Sequence, residues 1–148
     1  MTLVPFETLS VHMDRKWLVT VFAPEEDVVR IRDTIRTVDP LAQGDRYDSN
    51  VYQSAPGVEH YRPLDGAAAG PETDVRQRPG VVSITLEIDE NSETLQALVE
   101  AVFQVHSYQE PVIRVQEILT SRSKGMDDRD NPHRWWNTTG DWKSRTPA

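Results

Sequence analysis

An α+β fold, with one antiparallel sheet covered on one side by two helices, is the architecture this sequence predicts. Three observations carry it. Strand and helix patterns follow one another in the order strand, helix, strands, helix, strand. Both helical segments have a single apolar stripe, and the segment 81–88 alternates apolar with polar side chains, so each element has one face to bury. A chain of 148 residues without cysteine is long enough for one domain with its own core and needs no disulfide. Such elements strung in that order make the ferredoxin-like plan.

The first strand is read in 16–22, KWLVTVF, which is dense in aromatic and β-branched residues and is stopped by Ala23-Pro24. Pro24 followed by Glu25, Glu26 and Asp27 opens a helix, because proline fits a first turn and acidic groups complement the positive end of the helix dipole. Val28, Ile31, Ile35 and Val38 make its inner stripe, with Arg30, Arg32 and Arg36 on the solvated face. Asp39-Pro40 and Gly44 end it. Residues 47–66, YDSNVYQSAPGVEHYRPLDG, alternate weakly around Pro56-Gly57 and predict two strand arms, folded as a hairpin or as a bent extension. The run 67–80, AAAGPETDVRQRPG, lacks periodicity and predicts an exposed connection.

VVSITLEI (81–88) is the half-buried strand, and Asn91 or Ser92 caps the helix after it. The inner stripe of that helix is Leu95, Leu98, Val99, Val102 and Phe103. Val28, Ile31, Ile35, Leu95, Leu98, Val102 and Phe103 are therefore expected in the core. His106 ends the helix, and VIRVQEIL (112–119) is the last strand. Beyond it, a polar segment holds three of the four tryptophans, Trp135, Trp136 and Trp142. The expected organisation is an arm at 1–15, a domain at 16–120 and a Trp-rich tail at 121–148. The tail's indoles offer apolar area for packing on the chain's own oligomer or on a protein partner.

Composition removes several classes of function. The formal charge of −8 repels nucleic-acid phosphates, so no nucleic-acid partner is expected. The absence of cysteine excludes thiolate metal sites and a thiol nucleophile. No basic, then apolar, leader opens the chain and no run is apolar enough for a membrane helix, which leads to the expectation of a soluble cytoplasmic protein without a membrane partner. No Gly-x-Ser-x-Gly elbow, His-Glu-x-x-His pair, P-loop ending or dinucleotide fingerprint is present, and the sequence names no cofactor or metal.

Two segments, YRPLDG (61–66) and HSYQEPVIRV (106–115), resemble the F-R-P-L-E-G and H-P-Y-E-E-P-x-Y-x-V signatures of a PII-like domain. That domain is found alone in small YqfO-type bacterial proteins and inserted in Nif-three-like dinuclear-metal-centre proteins. The His-x-Tyr-x-x-Pro end is similar, more distantly, to CutA. The resemblance spans residues 16–120 and includes VFAPEEDV, where the family has a similar start. Ser107 stands where the family has proline, and Gln109 where it has an acidic residue. The resemblance implies a PII-like fold, a trimer or larger homo-oligomer, and ligand sensing or metal tolerance rather than catalysis.

Arg62 is the leading anion-binding candidate, since a guanidinium offers a planar fork to carboxylate or phosphate. The competing reading is an internal salt bridge to Asp65 or Glu110. His60 lies two residues before Arg62, a spacing that puts both on one face of a strand. His106 suits a metal ligand or general base, or more simply a helix end whose positive form meets the dipole. Tyr108 suits a ligand contact through its hydroxyl, or a ring packed across a subunit seam. Glu110 before Pro111 most simply sets the entry to the last strand. The predicted function is an oligomeric sensor or adaptor that holds a small anionic ligand or metal ion between subunits, with Arg62, His60, Asp65, His106, Tyr108 and Glu110 as candidate ligand-binding residues. The alternatives are a small enzyme with a histidine acid/base and an arginine clamp, or a structural adaptor acting through its tryptophans.

Overall fold

The computed structural model of the chain describes residues 3–125 and 130–138. A short strand β1 (Phe6–Glu7) leads into β2 (Val11–Pro24), the centre of an antiparallel sheet. On one edge β2 pairs with β6 (Ile113–Ser123), from Val11↔Ser123 to Val21↔Ile113. On the other it pairs with β5 (Arg76–Ile88), from Trp17↔Ile88 to Pro24↔Val81. Two short strands, β3 (Tyr52–Gln53) and β4 (Gly57–Tyr61), share the far edge of β5. Across the sheet the order is β6, β2, β5, then β3 and β4.

Helices α1 (Val28–Val38) and α2 (Ser92–Val105) pack against each other and cover one face. Val19, Val21 and Ala23 from β2 meet Val82, Ile84 and Leu86 from β5, with Ile31, Ile35, Leu98 and Val102 closing the core above them. The fold is the α+β, ferredoxin-like plan. Among the described residues, no helix is long and apolar enough to cross a membrane.

Local chemistry explains the boundaries. Pro24 (φ −64°) ends β2 and starts a 3-10 turn, Glu25–Asp27, that feeds α1. Asn91 caps α2, its side chain accepting from Thr94 N–H at 3.1 Å. The strands exceed the expected lengths. β2 begins at Val11 because the polar stretch before Lys16 is held by ladder bonds to β6, which a hydrophobic pattern does not report. Paired strand thus runs across positions 15/16 and 120/121.

Two expectations are corrected. Phe103 is 48% exposed, because at about 100° per residue it lies roughly 140° around α2 from the buried Leu98. Val105, half-buried, packs on the core instead. The arms around Pro56-Gly57 take the bent-extension alternative rather than the hairpin, both lying along β5 with Gly57 the first residue of β4, and it is the connection after them that is corrected. The hairpin partner of β4 is Arg76–Val81, and Arg76–Gly80 of it belong to the run expected as an exposed connection. Pro79-Gly80 looks like a breaker but sits in a β-bulge, two residues opposite Val58, with Gly80 at φ +76°.

The described part of the tail holds a short helix α3 (Trp135–Thr138), where the indoles of Trp135 and Trp136 meet edge to face at 5.7 Å. Trp142 lies outside the described residues.

Candidate ligand-binding site

The two signature segments, forty residues apart in sequence, meet in space through Gln109. Its Oε1 accepts from Ala68 N–H at 2.8 Å and its Nε2 donates to Gly66 O at 3.3 Å. The loop it grips, 62–75, is internally folded: Ala67 N–H reaches Leu64 O, Gly70 N–H reaches Ala67 O, and Glu72 N–H reaches Pro63 O. Gly66 (φ +106°) adopts a backbone that only glycine takes readily.

His106 anchors the other segment. Its ring is enclosed, with Nε2 at 2.7 Å from Phe22 O and Nδ1 accepting Tyr108 N–H at 3.0 Å. A carbonyl only accepts and an amide N–H only donates, so the proton sits on Nε2. Neither ring nitrogen is left for a metal or a substrate proton. Beside it, buried Asp27 accepts from Ser107 N–H (2.9 Å), Ser107 Oγ–H (2.6 Å) and Arg30 (2.6 Å). Burial pushes the Asp27 carboxyl up, but the Ser107 and Arg30 hydrogen bonds outweigh it and hold the group below the usual range. Serine, histidine and aspartate stand close together here without forming a triad, because the serine hydroxyl donates to the carboxylate.

Tyr108 extends from this anchor toward the β4–β5 hairpin. The Arg78 guanidinium lies 4.7 Å from its ring centroid. The phenol is pushed up to about 12, by burial first, with Arg78 opposing and the charges of Glu59 and Glu26 adding to it. Its hydroxyl is buried, and Glu59 is the carboxylate that acts on it. Along the hairpin Glu59 is in register with Arg78 and Tyr61 with Arg76, and Arg76 pairs with Glu72 at 2.7 Å.

Arg62 is the first residue past β4. It is exposed, and its one hydrogen bond among the described residues is a long 3.5 Å contact to Glu72 O. Among those residues it has no ion pair, and neither Asp65 nor Glu110, both exposed, closes on it. His60 is exposed on β4, in register with Gln77. Arg62, Asp65 and the His106–Glu110 segment thus border one loop, while His106 itself points into the fold. Two cavities, of about 290 and 310 Å³, are lined by none of these residues. Among the described residues, no three of His, Asp and Glu form a cluster able to hold a metal.

No family model and no curated protein matches this sequence. Solved structures do. A Bacillus cereus protein related to NIF3 superposes on 80% of this chain with TM-score 0.60 and 18% identity, and the chain spans 28% of that protein's length. CutA1 from Oryza sativa matches over 72% of this chain and 82% of its own, with TM-score 0.50 and 20% identity. The divalent ion tolerance protein CutA1 from Ehrlichia chaffeensis matches over 71% and 81%, with TM-score 0.50 and 16% identity. The fold is CutA-like.

At these identities the likeness is one of fold. Within this CutA-like fold, the residues that sequence reasoning missed are Arg78, Glu59, Gln109 and Asp27. Gln109 stood out as a departure from the motif, a signal that it had a different contact to make. Arg78 lay in a run read as connection, and Asp27 in a run read as a helix start. Nothing local marked either as a partner of residues 107–108.

Proposed function

We propose that the chain is an oligomeric PII-like binding module that takes a small anionic ligand at a cleft between subunits, beside the 56–80 segment, and reports it to a protein partner. The observation that carries this reading is Arg62. An exposed guanidinium without an ion pair among the described residues, on a loop pinned by Gln109, presents its donors outward on an ordered support.

A second copy supplies the other wall of the cleft. The outer edges of β6 and of β3–β4 have no strand partner among the described residues, and Tyr52, Val58 and Tyr61 are exposed along the latter. One similar structure carries the name of a divalent ion tolerance protein. The anionic reading stands ahead of a metal here because the outward group is a cation. Exposed Trp135, with Trp136 beside it, is the surface assigned to the protein partner; Trp142 lies outside the described residues.

Thermal-shift titration with nucleotides, di- and tricarboxylates and divalent metals tests the reading. A saturable rise in Tm with an anion, abolished in Arg62→Ala while the unliganded Tm is unchanged, is expected. A variant that simply melts earlier, or a rise produced by metals alone, overturns it.

A further inference from the structure

A cluster of cations lines a cavity away from Arg62. The β-bridged turn Gln43–Tyr47, closed by Gln43 N–H to Tyr47 O at 2.7 Å, faces the end of β6 across a cavity of about 310 Å³. Its lining brings together Arg46, Arg122 and Lys124 against one acid, Asp45. In a chain of net charge −8 that is a local reversal of sign.

The three cations are not equivalent. Arg122 is held by Glu87 at 3.1 Å, and Lys124 by Glu7 at 3.2 Å and Thr8 O at 2.7 Å; neither acid lines the cavity. Arg46 has no hydrogen bond or ion pair among the described residues. Its guanidinium instead lies against the backbone of Gly125, so close that a Cβ there would collide with Nη2. Gly125 is at φ +73°, which disfavours any side chain at that position a second time over. The glycine therefore leaves room for a guanidinium that nothing among the described residues neutralises. Ser123 adds a hydroxyl whose oxygen accepts Gly125 N–H at 3.2 Å, leaving its own proton to donate.

We propose that this cavity binds a phosphoryl group, as free phosphate or diphosphate or at the end of a small metabolite. Arg46 is its fork-shaped donor, and Arg122 and Lys124 are pre-positioned charges behind it. An arginine fork matches two phosphoryl oxygens, a lysine contributes a point charge, and a cavity of this size suits a small ligand.

Isothermal titration of the full chain with inorganic phosphate and with pyrophosphate tests the site, alongside Arg46→Ala and Arg62→Ala. Saturable binding that weakens about 10- to 100-fold in Arg46→Ala, the range for losing a hydrogen bond to a charged group, and persists in Arg62→Ala is expected. Amide shifts on titration should concentrate at 43–47 and 122–125. Absence of saturable binding, equal binding by Arg46→Ala, loss in Arg62→Ala instead, or shifts centred on 62–75 overturns the proposal. The last two would assign the anion to the Arg62 loop, so the two sites fail separately.

Discussion

Asp27 illustrates how one side chain ties three segments together. It sits in the 3-10 turn before α1 and holds the loop after α2 through both donors of Ser107, eighty residues away, while Arg30 joins it to its own helix. Its folded-state pKa lies below its unfolded one, so this contribution is complete above the ordinary carboxylate value of about 3.9 and is lost as pH falls through the lower folded value. Asp27→Asn should lower stability by about 1–3 kcal/mol at pH 7, the cost of weakening a buried, charge-assisted set of bonds. Urea unfolding at stepped pH checks the sign: the gap between wild type and variant should stay constant from pH 7 to 5 and narrow below about pH 4. At this scale His106 was legible as a helix end and as a singular histidine. Its partner Phe22 O was not, because that contact is made by folding rather than by neighbours in the chain.

Among the elements, β5 departs most from its pattern. VVSITLEI was readable as a strand because it alternates on a half-buried surface, with Val82, Ile84, Leu86 and Ile88 buried. RQRPG before it was not, since an edge hairpin beyond the core needs no apolar face and a bulge accepts proline and glycine. Gly80 lies at φ +76° with nothing within 4 Å of the point a Cβ would occupy, so its requirement is conformational and not steric crowding. Gly80→Ala should therefore cost about 1–2 kcal/mol, the left-handed penalty for a residue with a Cβ. Gly57→Ala, at ordinary contact distance (3.8 Å) and without a positive φ, should change stability by less than about 1 kcal/mol. Chemical denaturation of both variants makes the comparison, and equal losses would contradict the bulge assignment.

For the whole molecule, the proposed cleft requires a second copy, and sedimentation velocity over a range of concentrations checks this directly. A homo-oligomer, a trimer in the PII-like reading, is expected, and a concentration-independent monomer would contradict it. Sequence alone determined the order of elements, the two-layer plan and most of the core, because periodicity of 3.6 or 2 records which face of an element is buried. The resemblance also picked out 61–66 and 106–115 jointly, and Gln109 joins them through Gly66 O. Only tertiary structure decided which side chains those segments use: Gln109 as the clasp, His106 turned inward onto Phe22 O and Arg62 left outward. It also laid Arg46 on Gly125, far from either segment in the chain. The physical reason is that burial is written into local pattern, whereas pairing between polar groups far apart in the chain depends on where the packed core happens to set them down.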